Sequence, residues 1–311
     1  MTIVCVTPNP AIDRTLVSPG WRAGAVQRPT DVIVAAGGKG LNVARAIRTL
    51  GGDPLCLGPL GGSAGRWLAD LAQQEALPAA WTWTVRETRT CTIVLDPDAG
   101  ASTGWYETGE PLSYSDWLRF SEDVKREATD ANLICFSGSL PLSAPVADFG
   151  DLLRTLSRAG RSVWVDTNGL ALEAARQIDG IGLKVNEVEL GALLSREITS
   201  LEMAGAAARD ARPQEGITIV TLGKAGAVLS ADDVTWHASP PAIQAVNVTG
   251  SGDAFLGGWL VALAEQCALP EALRRAVAAG AANALSTSGG HFQRSTYEQI
   301  LAGVTLRRLP A

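Results

Sequence analysis

Short, almost uniformly apolar runs alternate along the chain with segments whose apolar residues recur at helical spacing. Strands this apolar are typical of a parallel sheet that is covered on both faces. The alternation therefore predicts an α/β fold: a doubly wound, mostly parallel sheet flanked by helices, with right-handed crossovers. The predicted strands are residues 3–7, 55–60, 133–137, 162–166, 183–185 and 217–221. The predicted helices are residues 41–50, 64–74, 116–128, 146–159 and 201–212, followed by a helical stretch over residues 253–287 with a break near Pro270.

Two regions, residues 14–35 and 80–108, interrupt this alternation and contain no convincing helical pattern. Within the second region, residues 80–85 and 91–95 have the composition of strands. We expect the two regions to pair as a small β-sheet outside the main layer. Because inserted sheets of this kind often cover an active site, the sequence predicts a lid on a single domain that spans residues 1–311.

Composition narrows the class of protein. Hydrophobic residues make up 46% and charged residues 19% of the chain, which is typical of a globular protein. The 26 basic and 32 acidic residues give a net charge of −6, which disfavours nucleic-acid binding. No apolar segment approaches the length of about 18 residues needed to span a membrane. The N-terminus resembles a strand rather than a signal peptide, and the five cysteines lie far apart in apolar segments, so we expect a reduced, cytoplasmic protein.

A glycine-rich stretch, N-V-T-G-S-G-D-A-F-L-G-G at residues 247–258, runs directly into an apolar helix. Successive backbone N–H groups at such a helix start hold anions, so the amides of Gly250, Ser251 and Gly252 are candidates for binding a phosphate. Asp253 would repel that phosphate unless it takes the proton from a hydroxyl that attacks it. The alternative is an acidic residue that the helix dipole favours. The dinucleotide fingerprint and the Walker A sequence are both absent, so any nucleotide is bound by another device.

Two further stretches combine polar side chains with a helix start. In A-G-G-K-G-L-N-V-A-R-A at residues 36–46, Asn42 is suited to bonding hydroxyls and Lys39 to meeting an anion. The alternative there is a tight turn with a solvated lysine. In K-V-N-E-V-E-L at residues 184–190, Asn186 and Glu189 share a helix face and have the oxygens to hold hydrated Mg²⁺ beside phosphates. The alternative is a capped, solvated first turn. Ligands gather at the carboxyl ends of parallel strands, so we expect one crevice near Asp13, Ser137, Asp166, Asn186 and Thr221.

Together these stretches resemble the ribokinase-like carbohydrate kinases, the phosphofructokinase-B family, over essentially the whole chain. Six segments come in the family's order: residues 7–13 (T-P-N-P-A-I-D), 37–44, 88–90 (T-R-T), 138–141 (G-S-L-P), 184–189 and 250–253. The T-P-N-P opening and the G-G-K-G at residues 37–40 are most similar to the branch of 1-phosphofructokinases and tagatose-6-phosphate kinases. Val185 and Ser251 depart from the family, which has proline at the first position and often alanine at the second.

The resemblance implies an ATP-dependent, Mg²⁺-using kinase that adds a second phosphate to fructose 1-phosphate, tagatose 6-phosphate or fructose 6-phosphate. It implies that Asp253 is the general base and that the amides of residues 250–252 hold the transferring phosphoryl group. For sugar hydroxyls it implies Asp13, Gly37, Gly38, Asn42 and Ser139, and for the phosphate of the sugar it implies Arg28, Lys39 and Arg89. For ATP and Mg²⁺ it implies Lys184, Asn186, Thr221, Gly223 and Gly226, with Asn283 near the adenine and Glu189 at the metal.

Three other functions remain as alternatives. A kinase of an unphosphorylated sugar or nucleoside would lack the basic residues at the sugar end. A nicotinamide dehydrogenase would share the sheet but needs the missing G-x-G-x-x-G. A sugar-binding regulator would need Asp13 and Asn42 but not Asp253. For the kinase, we expect a homodimer formed through the lid, because so few strands cannot bury two faces alone.

Overall fold

A computed structural model describes residues 1–286 and 289–310. Its strands are β1 (Thr2–Val6), β2 (Ala11–Val17), β3 (Asp31–Gly37), β4 (Asp53–Gly61), β5 (Ala79–Thr84), β6 (Arg89–Asp96), β7 (Ala101–Tyr106), β8 (Leu133–Ser137), β9 (Ser162–Asp166), β10 (Gly182–Asn186), β11 (Ile217–Thr221), β12 (Ala227–Ala231), β13 (Val234–Ser239) and β14 (Thr305–Leu309). Its helices are α1 (Lys39–Thr49), α2 (Gly62–Gln74), α3 (Tyr114–Glu127), α4 (Val146–Arg158), α5 (Gly169–Arg176), α6 (Glu187–Leu194), α7 (Leu201–Ala211), α8 (Ser251–Ala264), α9 (Leu269–Ala284) and α10 (Arg294–Gly303).

Ten strands form the main sheet in the order β14-β13-β12-β11-β10-β9-β8-β1-β4-β5. The strands from β11 to β5 pair parallel with one another, whereas β12, β13 and β14 pair antiparallel, beginning with the pair β11–β12. The predicted doubly wound, mostly parallel α/β sheet is thus confirmed. The antiparallel strands were not predicted: β13 and β14 mix polar with apolar residues, unlike the uniformly apolar central strands, whereas β12 (A-V-L-S-A) is buried at every position and was missed despite its apolar composition.

The core lies in two layers, one on each face of the main sheet. Successive side chains of a strand point to opposite faces. In β1, Ile3 and Cys5 pack into one hydrophobic cluster, and Val4 and Val6 into the other. This two-sided burial is the physical reason why the central strands are apolar at every position.

Four strands form a separate small sheet in the order β3-β2-β6-β7. The predicted pairing of two outlying regions is therefore observed, and residues 91–95 do lie in one of its strands. The assignment of residues 80–85 to this sheet is wrong, because β5 pairs parallel with β4 at the edge of the main sheet. The error has a simple cause: a half-buried edge strand and a lid strand have the same alternating pattern.

The helices α5, α6 and α10 were also missed. The helices α5 and α6 span only eight residues each, too short for a helical period to be recognised. The long C-terminal stretch divides into α8 and α9, with Pro270 in the first turn of α9, where proline is tolerated. Among the helices of residues 1–286 and 289–310, none is both long enough and apolar enough to cross a membrane.

Candidate active site

A cavity of about 1120 Å³ lies where the carboxyl ends of the parallel strands meet the small sheet. Segments that follow β1, β8, β9, β10 and β11 line it, and one face of β2, β6 and β7 closes it. The crevice predicted from the strand ends lies at this edge, because parallel strands all end on the same side of the sheet. Asp13, Asn186 and Thr221 line it, whereas Ser137 and Asp166 are completely buried behind its surface. The predicted residues that line it are Asp13, Gly38, Lys39, Asn42, Arg89, Ser139, Lys184, Asn186, Glu189, Thr221, Gly223, Gly226, Gly250, Ser251, Gly252 and Asp253.

Three residues that were predicted to bind the sugar phosphate or ATP do not line this cavity. Arg28 is exposed in the loop between β2 and β3. Gly37 lies behind the surface, where a Cβ would be 2.3 Å from the Asp13 carboxyl carbon, so glycine is required to leave room for Asp13. Asn283 is fully buried and donates to the Thr249 carbonyl at 2.9 Å, so it holds the glycine-rich turn rather than facing a nucleotide.

The start of α8 has a backbone that only glycine fits. Gly250 has a φ of 78°, and a Cβ on it would lie 2.5 Å from the backbone of Gly289. The Ser251 amide donates to the Val248 carbonyl at 3.1 Å, so it is already engaged. The Gly252 amide lies in the first turn of α8, where no earlier carbonyl of the helix can accept from it. This turn is therefore able to bind an anion through its backbone.

Asp253 does not cap α8, since the N-cap is Gly250 and makes no side-chain bond. Its carboxylate instead accepts a hydrogen bond from Asn42 Nδ2 at 2.7 Å. Burial raises the pKa of Asp253, although the charges of Lys39 and Lys184 oppose the shift. A buried carboxylate with a raised pKa, aimed into a cavity, has the properties of a general base.

Asp166 carries the strongest ionic contacts of the site. It is completely buried and accepts from Lys39 Nζ at 2.9 Å and from Lys184 Nζ at 2.8 Å. Burial alone would raise the pKa of Asp166, but the two ammonium groups outweigh it and hold the pKa at about 2. The sequence marked Asp166 only as a strand end and gave it no role, because neither lysine lies within helical or hairpin spacing of it: Lys184 is 18 residues away and Lys39 is 127 residues away.

The first turn of α6 is capped, as one interpretation of its sequence predicted, and it also leaves one carboxylate oxygen for the other, a role beside Mg²⁺. Asn186 and Glu189 form a capping box: the Glu189 amide donates to Asn186 Oδ1 at 2.8 Å, and the Asn186 amide donates to Glu189 Oε2 at 2.9 Å. The second oxygen, Glu189 Oε1, lies 3.8 Å from Lys39 Nζ and faces the cavity. No cluster of three metal-binding side chains occurs in the part of the chain that the structure describes.

The small sheet supplies the other wall. Burial raises the pKa of Asp13 to about 6, and the nearby Arg45 guanidinium limits the rise. Arg89 reaches across to β1's loop, donating to the Asn9 carbonyl at 2.9 Å and to the Glu107 carbonyl at 2.8 Å. Arg89 and Asp13 thus both lie on the wall formed by the small sheet, on the paired strands β6 and β2.

Thr221, Gly223, Lys224 and Gly226 also line the cavity, together with a set of mostly short apolar side chains that the sequence did not single out. Short apolar side chains in an irregular segment give no periodic signal, which explains the omission. The missed residues are Pro240, Pro241, Ala242, Ile243, Ala245, Val248, Val277 and Ala281.

Comparisons with known proteins agree with this architecture. A family model described as pfkB family carbohydrate kinase matches residues 2–295. The chain is 31% identical to ATP-dependent 6-phosphofructokinase isozyme 2 of Escherichia coli (strain K12), over 91% of this chain and 93% of the relative. The crystal structure of E. coli phosphofructokinase-2 in complex with fructose-6-phosphate has a TM-score of 0.88 at 28% identity, covering 97% of this chain and 98% of that one. A possible 1-phosphofructokinase from Thermotoga maritima has a TM-score of 0.88 at 18% identity over the whole of both chains, which supports the fold alone.

Proposed function

The chain belongs to the pfkB family of carbohydrate kinases, and we propose that it transfers a phosphoryl group from ATP to a ketohexose phosphate, with fructose 6-phosphate as the first candidate. The observation that carries this proposal is the buried Asp253 carboxylate beside the backbone amides at the start of α8. A base next to an anion-binding turn is the arrangement that phosphoryl transfer to a hydroxyl requires.

The reaction follows from these positions. Asp253 takes the proton of the acceptor hydroxyl, whose oxygen attacks the γ-phosphorus of ATP while the bond to the bridging oxygen of the departing ADP breaks. The Gly252 amide and the Lys39 and Lys184 ammonium groups offset the charge on the transferring group. Asp13, Gly38, Asn42 and Ser139 bind the sugar hydroxyls. The part of the cavity that Thr221, Gly223 and Gly226 line receives the base of the nucleotide.

Mg²⁺ fits the site as a partner of ATP. Mg²⁺ keeps several waters and is held through one or two carboxylates together with substrate phosphates, so it needs no cage of protein ligands. Glu189 Oε1, which faces the cavity beside Lys39, is the carboxylate oxygen suited to this role. The ion supplies neutralisation of phosphate charge when it is bound.

A screen of ADP release tests the proposal directly. We expect the purified protein to release ADP with a ketohexose phosphate as acceptor, and the preferred substrate to be found among fructose 6-phosphate, fructose 1-phosphate and tagatose 6-phosphate. Free fructose and ribose serve as controls for the alternative of an unphosphorylated substrate. Preference for a free sugar, or no ADP release with any acceptor, would refute the proposal.

Arg89 and Lys39 were both expected to meet the phosphate of the sugar, and their contacts now suggest different effects. We expect Arg89→Ala to raise KM for the sugar phosphate about 5- to 150-fold, the equivalent of about 1–3 kcal/mol of charge-assisted bonding, with KM for ATP unchanged. We expect Lys39→Ala to act mainly on kcat, since its ammonium lies between Asp166 and Glu189. Steady-state kinetics with both substrates varied measures this split. If Arg89→Ala raised KM for the phosphorylated sugar and for the free sugar by the same factor, the assignment of Arg89 to the phosphate of the sugar would be contradicted.

We also propose a homodimer formed through the small sheet. Strand β7 is exposed along its whole length, and Trp105 on it is 50% exposed. An exposed edge strand with an aromatic residue is typical of a strand that meets a partner. Light scattering at micromolar concentration should give a dimer, and Trp105→Lys should shift it to monomer. The matched control is Trp83→Lys, since Trp83 is 46% exposed on the main sheet. A wild-type protein that is entirely monomeric would contradict this proposal.

A further inference from the structure

Arg45 is a buried charge on α1 that does not line the cavity and that nothing above assigns to the reaction. Its side chain is only 4% exposed, which is costly for an arginine unless every donor is matched. Its guanidinium Nε and Nη2 donate to the Glu75 carboxylate, Nη2 also to the Ala36 carbonyl, and Nη1 to Asn42 Oδ1 at 2.7 Å. All three nitrogens of the guanidinium therefore donate, four hydrogen bonds in total, and one of these bonds is made to Asn42, a residue of the site.

The hydrogen bond from Arg45 to Asn42 fixes the orientation of the Asn42 side-chain amide. Because Oδ1 accepts from Arg45, Nδ2 is turned toward Asp253, to which it donates at 2.7 Å. In the reversed orientation Asn42 Oδ1 would face the Asp253 carboxylate and Nδ2 would face the Arg45 guanidinium, and both contacts would be repulsive. Arg45 thus adds to the preference of Asp253 for one orientation of the amide and holds the hydrogen bond that orients the base.

Glu75, the partner of Arg45, occupies a position that is unfavourable for a carboxylate. It is the C-cap of α2, where the helix dipole disfavours a carboxylate. The position is explained by its ion pair with Arg45 and by its contact with the Ala36 amide at 3.3 Å. A residue placed against its local preference is expected chiefly at a functional or strained site. The group links α1, α2 and β3 in a single connected chain.

We propose that Arg45, held by Glu75, is a positioning residue for this kinase: it orients Asn42 toward Asp253. The proposal rests on the proposed function only for the consequence in turnover. Arg45 also has an electrostatic role that concerns Asp13 alone: Arg45 donates to the Ala36 carbonyl, and the next residue, Gly37, lies directly against the Asp13 carboxyl carbon. Burial raises the pKa of Asp13, and among the groups that oppose this rise the Arg45 charge acts most strongly. The other groups that face Asp13 are the Gly38 amide, Arg89 and Cys91 from β6, Tyr106 from β7 and Asp253 from α8.

Two substitutions of Arg45 separate its two effects. Arg45→Lys keeps the charge but cannot bond Glu75 and Asn42 together, since an ammonium is a point charge without a planar fork. We expect kcat to fall on the order of 10- to 100-fold, through misorientation of the base, while KM for ATP stays unchanged. The pH at which Asp13 titrates should stay near 6. Arg45→Gln removes the charge as well, and we expect the same fall in kcat together with a titration at higher pH.

The titration is measured by carbon NMR of the aspartate carboxyl groups, with Asp13→Asn used to assign the signal, and needs no substrate. Kinetics with ATP and fructose 6-phosphate gives kcat and KM. Glu75→Gln provides a second variant with a milder change, in case the Arg45 variants fold poorly, and should also lower kcat. Arg48→Gln is the matched control: Arg48 donates to the backbone carbonyls of Glu75 and Ala76 but contacts neither Asn42 nor the Glu75 carboxylate.

The outcomes distinguish the possibilities. A fall in kcat for Arg48→Gln equal to that of the Arg45 variants would show a general loss of helix packing and overturn the inference. Wild-type kcat in a folded Arg45→Lys or Glu75→Gln protein would overturn the orienting role. An unchanged Asp13 titration in Arg45→Gln would overturn the electrostatic role. A wild-type enzyme inactive on every ketohexose phosphate would refute the proposed function, yet the titration would still decide the electrostatic role.

Discussion

Replacing Asp253 with asparagine should reduce kcat by about 10²–10⁴, the usual contribution of a general base. Asparagine keeps the size of the side chain and an oxygen that accepts from Asn42 Nδ2. It cannot take a proton from the acceptor hydroxyl. The Kd for ATP should change little, because the Gly252 amide, Lys39 and Lys184 are all retained. Single-turnover kinetics and calorimetric ATP binding measure the two quantities separately.

Stability separates this effect from a folding defect. Burial raises the pKa of Asp253, so its ionised form destabilises the native state at neutral pH. Asp253→Asn should therefore be as stable as the wild type or slightly more stable, while it is far less active. Glu265→Gln, at the other end of α8 and exposed, is the control and should leave kcat unchanged. A variant of Asp253 that keeps near-normal kcat would refute its assignment as the base.

Replacing Asp166 with asparagine should lower the free energy of unfolding by about 3–5 kcal/mol, the usual cost of breaking a buried ion pair from one side. Lys184, only 4% exposed, would be left as a buried ammonium facing an amide. Activity should fall as well, because Lys39 and Lys184 both take their positions from Asp166. Urea denaturation of the wild type and variant gives the difference in stability.

The pH dependence of this difference has a definite sign. The pKa of Asp166 is about 2 in the folded protein, below its ordinary value of about 3.9 in an unfolded chain. Its contribution to stability is therefore present above pH 4 and is lost as the pH falls toward 2. Asp151→Asn, at an exposed ion pair on α4, is the control and should change stability by about 0.5 kcal/mol or less. An Asp166 variant as stable as this control would contradict the prediction.

Local sequence determined the features that depend on short-range physics. Uniformly apolar strands are needed wherever both faces of a sheet are covered, so the central strands of the main sheet were predictable from composition alone. The glycine-rich starts of α1 and α8 were also recognisable from the local sequence, since glycine adopts a positive φ, such as the 78° of Gly250, without the steric cost that other residues meet. Candidate residues that follow strands could be grouped, because parallel strands end at one edge.

Tertiary structure alone decided which of these residues contact one another. Asp166 contacts Lys39, which is 127 residues away in the sequence, and Asn42 contacts Asp253, which is 211 residues away. The periodicity of helices and strands carries no information about contacts over such sequence separations. The same holds for Lys39, whose ammonium turns toward Asp166 and Glu189, and for Asn283, which is buried beneath the turn it supports. The physical reason is that a charge in the interior must find its partner in space. The sequence shows which charged residues are present, but which acidic residue pairs with which basic residue depends on how the helices pack against the sheet.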